Sequence, residues 1–196
     1  MNKRGEATRR HIKEQACILF AEKGFKEVSM KDVCEAAGLS RGGLYCHYES
    51  TNQIFKEILD DLMQYQEDEF RTKIELKLSA VSILDDVLER YKTEMTDSES
   101  SLTLAIYEYF SNKELAGHNN PLNEQYQVSA SSWKSLIQYG IGTKEFHDVD
   151  VTAVFDLIVF SYQGVRMYSK LMPIDREIPE RITTQIRKIL VREERS

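Results

Sequence analysis

The sequence contains few residues of the kinds that define disulfide-linked, metal-binding or membrane-spanning proteins. Its 196 residues include three cysteines, which form no closed set of disulfides and no C-x-x-C pair. No apolar run approaches the roughly 18 residues that cross a bilayer. The basic N-terminus lacks the apolar core of a signal peptide. We therefore expect a cytoplasmic protein with no metal site and no cofactor, and we expect no membrane among its partners.

Prolines and alternating apolar patterns are also scarce, and their scarcity favours helices. The three prolines interrupt no apolar pattern, and the alternation typical of strands is nearly absent. Apolar residues instead recur with a period near 3.6, which predicts an all-α fold of about nine helices. After three shorter helices, the longer ones are predicted at about 51–77, 80–96, 101–116, 121–140, 148–171 and 178–194.

The net charge of −6 argues at first against a nucleic-acid-binding protein, whose domains are usually basic. The charge, however, is unevenly distributed. Residues 1–50 carry nine Lys and Arg against seven Asp and Glu, a net charge of +2, whereas residues 51–196 carry 17 against 25, a net charge of −8. Five of the basic side chains lie within the first 13 residues. This asymmetry indicates a slightly basic N-terminal domain and an acidic remainder with a separate role.

The segment 29–48, SMKDVCEAAGLSRGGLYCHY, has the pattern of a helix-turn-helix. Ser29, with Asp32 three residues later, forms an acidic variant of the capping box. Ser40 caps a second short helix, and Gly38 between the two helices tolerates the positive φ of a tight turn. Because the second helix of such a motif enters the major groove of DNA, its residues are the candidates for DNA contact.

The first turn of that second helix contains two glycines, Gly42 and Gly43. Each costs about 1 kcal/mol of helix stability relative to alanine, so a helix kept only for packing would gain from losing them. A helix pressed against DNA gains from the missing Cβ atoms, because its backbone can then approach a phosphate or a base edge. Arg41 can bond to guanine or to a phosphate, or it can stay in solvent. Tyr45 and His47 add a phenol and an imidazole within one turn.

The segment resembles the DNA-binding signature of the TetR family of bacterial transcriptional regulators. The resemblance rests on Ser29, Asp32, Val33, Ala37, Gly38, Leu39, Ser40, Arg41, Gly42, Leu44, Tyr45 and Tyr48, and it is specific over about residues 7–62. It implies a helix-turn-helix domain of three helices at about 6–66 and a larger helical ligand-binding and dimerisation domain at 67–196. It also implies a regulator, most often a repressor, that binds a palindromic operator in double-stranded DNA as a homodimer and is released by a small-molecule effector.

By this resemblance, eight residues face DNA: Ser29, Ser40, Arg41, Gly42, Gly43, Tyr45, His47 and Thr51. Thr51 departs from the family pattern, which often has a lysine there that reaches a phosphate, so one cationic contact is missing. We interpret Tyr48 as a core anchor rather than a DNA contact. For Cys46, beside the DNA-facing residues, an inert side chain and a thiol whose oxidation releases DNA are the two alternatives.

The rest of the chain supplies candidates for the effector cavity and the dimer interface that the resemblance implies. Aromatic side chains are the cavity candidates, although each also fits an ordinary core: Tyr107, Phe110, Trp133, Phe155 and Tyr162. The interface candidates on the last two helices are Val154, Ile158, Gly164, Ile186 and Leu190. A glycine within a helix is costly, and close approach of another helix would justify Gly164.

Two other classes of function compete with a regulator. One is an all-α enzyme acting on a lipophilic substrate, but the chain has no recognisable catalytic motif, so we expect no enzyme. The other is a small-molecule carrier whose N-terminal domain no longer binds DNA, which Thr51 and the modest charge of +2 slightly favour. An activator fits the same residues as a repressor.

Overall fold

The computed structural model describes residues 3–112 and 121–192 of the chain. Their regular structure is helical apart from one isolated antiparallel bridge between Phe146 and Val191. The helices within these ranges are α1 (Lys3–Lys23), α2 (Met30–Ala37), α3 (Arg41–Tyr45), α4 (Thr51–Glu75), α5 (Ala80–Thr96), α6 (Thr103–Phe110), α7 (Pro121–Gly142), α8 (Val151–Ser169) and α9 (Glu177–Leu190). The predicted all-α fold is confirmed. Residues 113–116 and 193–194 of the predicted helices lie outside the described ranges.

The chain divides into two compact units. The N-terminal unit comprises Met1–Leu62 and Glu99–Pro121, and the C-terminal unit comprises Met63–Ser98 and Leu122–Ser196. The unit that contains the helix-turn-helix therefore also contains α6, whereas the domain bounds implied by the resemblance assign α6 to the C-terminal domain. Helix α4 contributes residues to both units.

The core of the N-terminal unit is built on one face of α1. Ile12, Ala16 and Phe20, spaced four residues apart, are fully buried, as expected for the apolar stripe of an amphipathic helix. The Phe20 ring lies 4.8 Å from that of Phe55 in α4, between ring centres. Tyr109 of α6 completes the aromatic cluster, with its ring centre 5.1 Å from that of Phe55. Helix α6 is thus part of the core that supports the helix-turn-helix.

The turn between α1 and α2 is fixed by the left-handed Gly24 and by a carboxylate from α6. Gly24 has φ +80°, the left-handed conformation in which a glycine commonly ends a helix. The backbone N–H of Lys26 donates to Glu108 Oε2 at 3.1 Å. A methyl group added to Gly24 would lie 2.6 Å from the same oxygen, so only glycine fits here without a shift of Glu108.

The C-terminal unit has its own core, formed by α5, α7, α8 and α9 around Trp133, which is fully buried. Glu145 closes the start of α5 by accepting the backbone N–H groups of Ala80 and Val81 at 3.1 and 3.2 Å. Burial raises the pKa of Glu145, but hydrogen bonds from Ser79, these amides and Thr143 together lower it below its usual value. None of the helices within residues 3–112 and 121–192 combines the length and apolar character needed to cross a bilayer.

Candidate DNA-binding site

The first helix of the helix-turn-helix, α2, is capped at both ends as the sequence predicts. Asp32 N–H donates to Ser29 Oγ at 3.3 Å, and Ser29 N–H donates back to Asp32 Oδ2 at 2.8 Å. Hydrogen bonds from the Ser29 side chain and backbone hold the pKa of Asp32 at about 2. Gly38 ends the helix with φ +64°, and the N–H of Leu39 donates to Cys34 O at 3.0 Å. Both cap predictions are confirmed.

The second helix, α3, is only five residues long. Its cap is the predicted Ser40, whose Oγ accepts the N–H of Gly43 at 3.1 Å. The chain continues as a turn in which the N–H groups of His47 and Tyr48 donate to Leu44 O at 2.9 and 3.0 Å. Leu44 and Tyr48 are buried, which confirms the interpretation of Tyr48 as a core anchor. We call residues 40–48 the recognition segment.

The predicted DNA-facing residues lie on and around this segment. Those that are exposed are Ser29, Ser40, Arg41, Gly42 and Tyr45, and those that are half-buried are Gly43, His47 and Thr51. The hydroxyls of Ser29 and Ser40 already serve as helix caps. Arg41 and Tyr45 therefore remain the large exposed side chains of α3.

The two glycines of α3 differ in their surroundings. A methyl group on Gly43 would lie 3.3 Å from Ser40 Oγ, close enough to crowd the cap. A methyl group on Gly42 would meet no described atom within 4 Å beyond its own helix and its chain neighbours. Neither residue has a positive φ. Packing within the described part of the chain therefore gives a reason for glycine at Gly43 and none at Gly42.

A half-buried ion pair that the sequence did not predict lies behind the recognition segment. Arg9 of α1 pairs with Glu57 of α4, and its guanidinium carbon lies 4.2 Å from the centre of the Tyr48 ring. Arg9 Nη1 also donates to His47 O at 2.7 Å, and Tyr48 OH donates to Glu57 Oε2 at 2.9 Å. Burial is the main cause that raises the pKa of Tyr48, and the hydrogen bond to Glu57 is the second. The sequence gives only a weak signal for this cluster, namely that Arg9 belongs to the basic first 13 residues.

The three cysteines have different environments. Cys46, which follows α3, is exposed, Cys34 is buried and Cys17 is half-buried. Burial raises the pKa of the Cys17 thiol, so it is a poor nucleophile. The exposure of Cys46 is compatible with both alternatives, an inert side chain and a thiol whose oxidation releases DNA. Within the described ranges, His, Cys, Asp and Glu side chains form no group of three that could hold a metal ion.

The structure does not place the five cavity candidates in one unit. Tyr107 and Phe110 lie on α6 in the N-terminal unit, where Tyr107 is 61% exposed. Trp133, Phe155 and Tyr162 are buried in the core of the C-terminal unit.

Buried polar groups accompany the aromatic rings of the C-terminal unit. The ring of Tyr91 stacks on that of Tyr162 at 4.0 Å between centres, and Trp133 Nε1 donates to Tyr91 OH at 3.3 Å. Tyr162 OH donates to Glu94 and accepts from Arg166 Nη1, the latter at 2.9 Å. Burial raises the pKa of Tyr91 to about 12 and raises that of Tyr162 as well. Both phenols are therefore neutral at physiological pH, and the Tyr162 hydroxyl is the one that donates to a carboxylate.

The interface candidates also fall into two groups. Val154, Ile158, Ile186 and Leu190 are buried in the chain's own core, so they offer no surface to a second chain. Gly164 is half-buried, and a methyl group there would meet no described atom within 4 Å outside its own helix and chain neighbours. A different face of α8 and the turn after it is apolar and exposed. Its large side chains are Leu157, Phe160, Tyr168, Leu171 and Met172.

Two short helices with a tight turn, an exposed first turn of the second helix and a separate helical unit define a helix-turn-helix DNA-binding protein. Residues 12–58 match the family model of the bacterial regulatory proteins of the tetR family. The helix-turn-helix domain of the chain therefore belongs to the tetR family of bacterial regulatory proteins.

Sequence similarity to known proteins extends over most of the chain. The uncharacterised HTH-type transcriptional regulator YfiR of Bacillus subtilis (strain 168) is 29% identical over 149 residues, which are 72% of this chain and 69% of that protein. The HTH-type transcriptional repressor KstR2 of Mycolicibacterium smegmatis is 23% identical over 176 residues, 87% of this chain and 84% of that one. A TetR transcription regulator from Haloarcula marismortui has the same fold, with a TM-score of 0.75, 16% identity and coverage of 95% of this chain and 100% of that one.

Proposed function

We propose that this protein is a transcriptional repressor that binds a palindromic operator as a homodimer and leaves it when a small molecule binds. A regulator of this kind acts in the cytoplasm, where bacterial DNA lies. The observation that carries the proposal is the recognition segment, which is anchored by Leu44 and Tyr48 while Arg41, Gly42 and Tyr45 are exposed. Relatives named as repressors favour repression over activation.

The exposed apolar face of α8 supports dimerisation. Leu157, Phe160, Gly164 and Tyr168 recur at intervals of three and four residues, so they form one stripe along the helix. Phe160 is 65% exposed. A contiguous apolar stripe on a surface marks an interaction site, and Gly164 leaves room for the close approach of a second helix.

A second copy of this chain is the partner that the proposed function requires. A single five-residue recognition helix reaches few bases, whereas two related by twofold symmetry read both halves of a palindrome. We therefore place the interface on the stripe and keep Gly164 from the sequence prediction.

We place the effector contact in the C-terminal unit, among Trp133, Phe155 and Tyr162. Aromatic rings supply apolar contact area, and the neutral phenol of Tyr162 supplies a polar group that can orient a ligand. Tyr107 and Phe110, in the other unit, are weaker candidates because Tyr107 faces solvent. Trp133 is the only tryptophan of the chain, so its fluorescence reports on this region alone.

A gel-shift experiment with DNA from upstream of its own gene tests the proposal. We expect retardation at low salt that specific DNA competes away and unrelated DNA does not. A compound that abolishes retardation should also change the fluorescence of Trp133. If the protein retards no DNA from the neighbouring promoters specifically, the proposed function as a regulator is refuted. A chain that still changes Trp133 fluorescence with a ligand is then a carrier.

A further inference from the structure

The recognition segment is held from behind by Arg9, a residue 38 positions earlier in the chain. Arg9 Nη1 donates to His47 O at 2.7 Å, and its other terminal nitrogen, Nη2, pairs with Glu57. The face of the guanidinium lies over the Tyr48 ring, 4.2 Å from its centre. One side chain of α1 therefore contacts the end of the recognition segment and α4 at the same time.

Two of the groups that Arg9 contacts, Tyr48 and Glu57, are also hydrogen-bonded to each other. Tyr48 OH donates to the second oxygen of Glu57 at 2.9 Å, and Tyr48 as a whole is 1% exposed. Hydrogen bonds between charged partners are shorter and stronger than neutral ones, and the planar guanidinium fixes their directions. The carbonyl of His47 and the ring of Tyr48 thus have defined positions relative to α1 and α4.

Such support is needed because α3 cannot hold its own position. A helix of five residues has too few internal hydrogen bonds to be stable alone, so its place depends on tertiary contacts. Leu44 and Tyr48 provide apolar contacts, which are not directional. The bond from Arg9 to His47 O adds a directional one.

We propose that Arg9 is a positioning residue for operator recognition, acting through the His47 carbonyl rather than by contacting DNA. The proposal rests on the DNA-binding function proposed above. The Arg9 side chain is 23% exposed, and both of its terminal nitrogens are occupied by the carbonyl and by Glu57. A phosphate contact would require these bonds to break. Base readout depends on orientation, whereas general attraction to DNA depends on charge, so Arg9 governs the first more than the second.

The neighbouring residue provides a matched control. Arg10 has the same charge and lies on the same helix, but its side chain is 76% exposed and its ion pair with Glu14 is long, at 3.8 Å. Arg10→Gln removes the same charge as Arg9→Gln without touching the recognition segment.

The experiment measures affinity for operator and for unrelated DNA across a salt series. For Arg9→Gln we expect about a tenfold loss of operator affinity, the equivalent of one charge-assisted hydrogen bond, with affinity for unrelated DNA within about twofold of wild type. Arg9→Lys should not rescue operator affinity, because an ammonium cannot serve a carbonyl, a carboxylate and a ring in this geometry. Arg10→Gln should leave the ratio of the two affinities unchanged.

Glu57→Gln distinguishes a positioning role from an effect of charge, because the two explanations predict opposite changes in operator affinity. Removing an acid near DNA should strengthen binding if charge alone matters. Positioning predicts weaker operator binding, because Glu57 orients both Arg9 and Tyr48. The proposal is overturned by tighter operator binding of Glu57→Gln. It is also overturned if Arg9→Gln lowers both affinities equally and reduces the salt slope by about one, as loss of a phosphate contact would.

Amide hydrogen exchange on the free protein tests the same contacts without DNA. In Arg9→Gln, the amides of Cys46, His47 and Tyr48 should exchange faster while those of α8 keep their wild-type rates. Unchanged rates in residues 46–48 overturn the positioning role, and a uniform rise over both units shows general destabilisation and overturns it too. If wild type binds no DNA specifically, the proposed function fails, and local acceleration still supports the bond from Arg9 as the support of the segment.

Discussion

Replacing Gly42 with alanine should stabilise the protein and weaken its binding to DNA at the same time. Gly42 lies in the first turn of α3 with a helical backbone, and its position has open space where a methyl group would go. Alanine therefore fits without strain and restricts the unfolded chain. The expected gain is about 0.5–1 kcal/mol in the free energy of unfolding.

The same substitution should be unfavourable in the complex with DNA. If the backbone of α3 lies against DNA, the added methyl group occupies space that a base edge or a phosphate needs. A cost of about 0.7 kcal/mol in each recognition helix, doubled in a dimer, corresponds to roughly tenfold weaker operator binding.

The assay combines urea unfolding with fluorescence anisotropy on labelled operator at fixed salt. Gly142→Ala is the control, because Gly142 is also a helical position with open space but lies at the end of α7 in the C-terminal unit. It should affect stability without affecting DNA affinity. If Gly42→Ala is stabilised and binds the operator as tightly as wild type, α3 does not approach DNA at this position and the reasoning is refuted.

Three further predictions concern charge, assembly and acid stability. Thr51→Lys should steepen the slope of log affinity against log salt by about one, because it restores a phosphate contact, and an unchanged slope would mean that Thr51 does not face DNA. Phe160→Glu should give monomers in analytical ultracentrifugation, whereas the exposed Glu89→Gln should stay dimeric; a dimeric Phe160→Glu would move the interface off α8. Asp32 has a folded-state pKa of about 2, below its ordinary 3.8, so its stabilisation is present above pH 4 and lost as the pH falls toward 2. Asp32→Asn should therefore show a smaller drop in Tm over that range, and an equal drop would contradict the cap's role.

The sequence predicts best those features that depend on neighbouring residues. The caps at Ser29, Gly38 and Ser40 were predicted because a cap is a contact over two to five positions, and its residue types are few. Helix spans followed from apolar periodicity for the same reason.

Features that depend on tertiary contacts could not be predicted from neighbouring residues in the sequence. Arg9 and Glu57 are 48 positions apart, and nothing in either neighbourhood indicates the other. The sequence also could not show that α6 packs with the N-terminal unit, since its apolar residues fit either core.

Helix α8 shows a second reason why tertiary contacts are hard to predict from sequence. It has apolar residues on two faces, and periodicity alone cannot tell which face the chain buries in its own core. The interface prediction used Val154 and Ile158, which the structure buries, whereas Phe160 and Tyr168 remain on the surface. Only the fold distinguishes a core stripe from a partner stripe.

Selection of DNA from a random library by the full-length protein tests the central claim most directly. The account predicts enrichment of a palindromic sequence with two half-sites, bound by two chains, and loss of that enrichment in Arg41→Ala. Enrichment of no sequence, or of one unpaired half-site bound by a single chain, would contradict it.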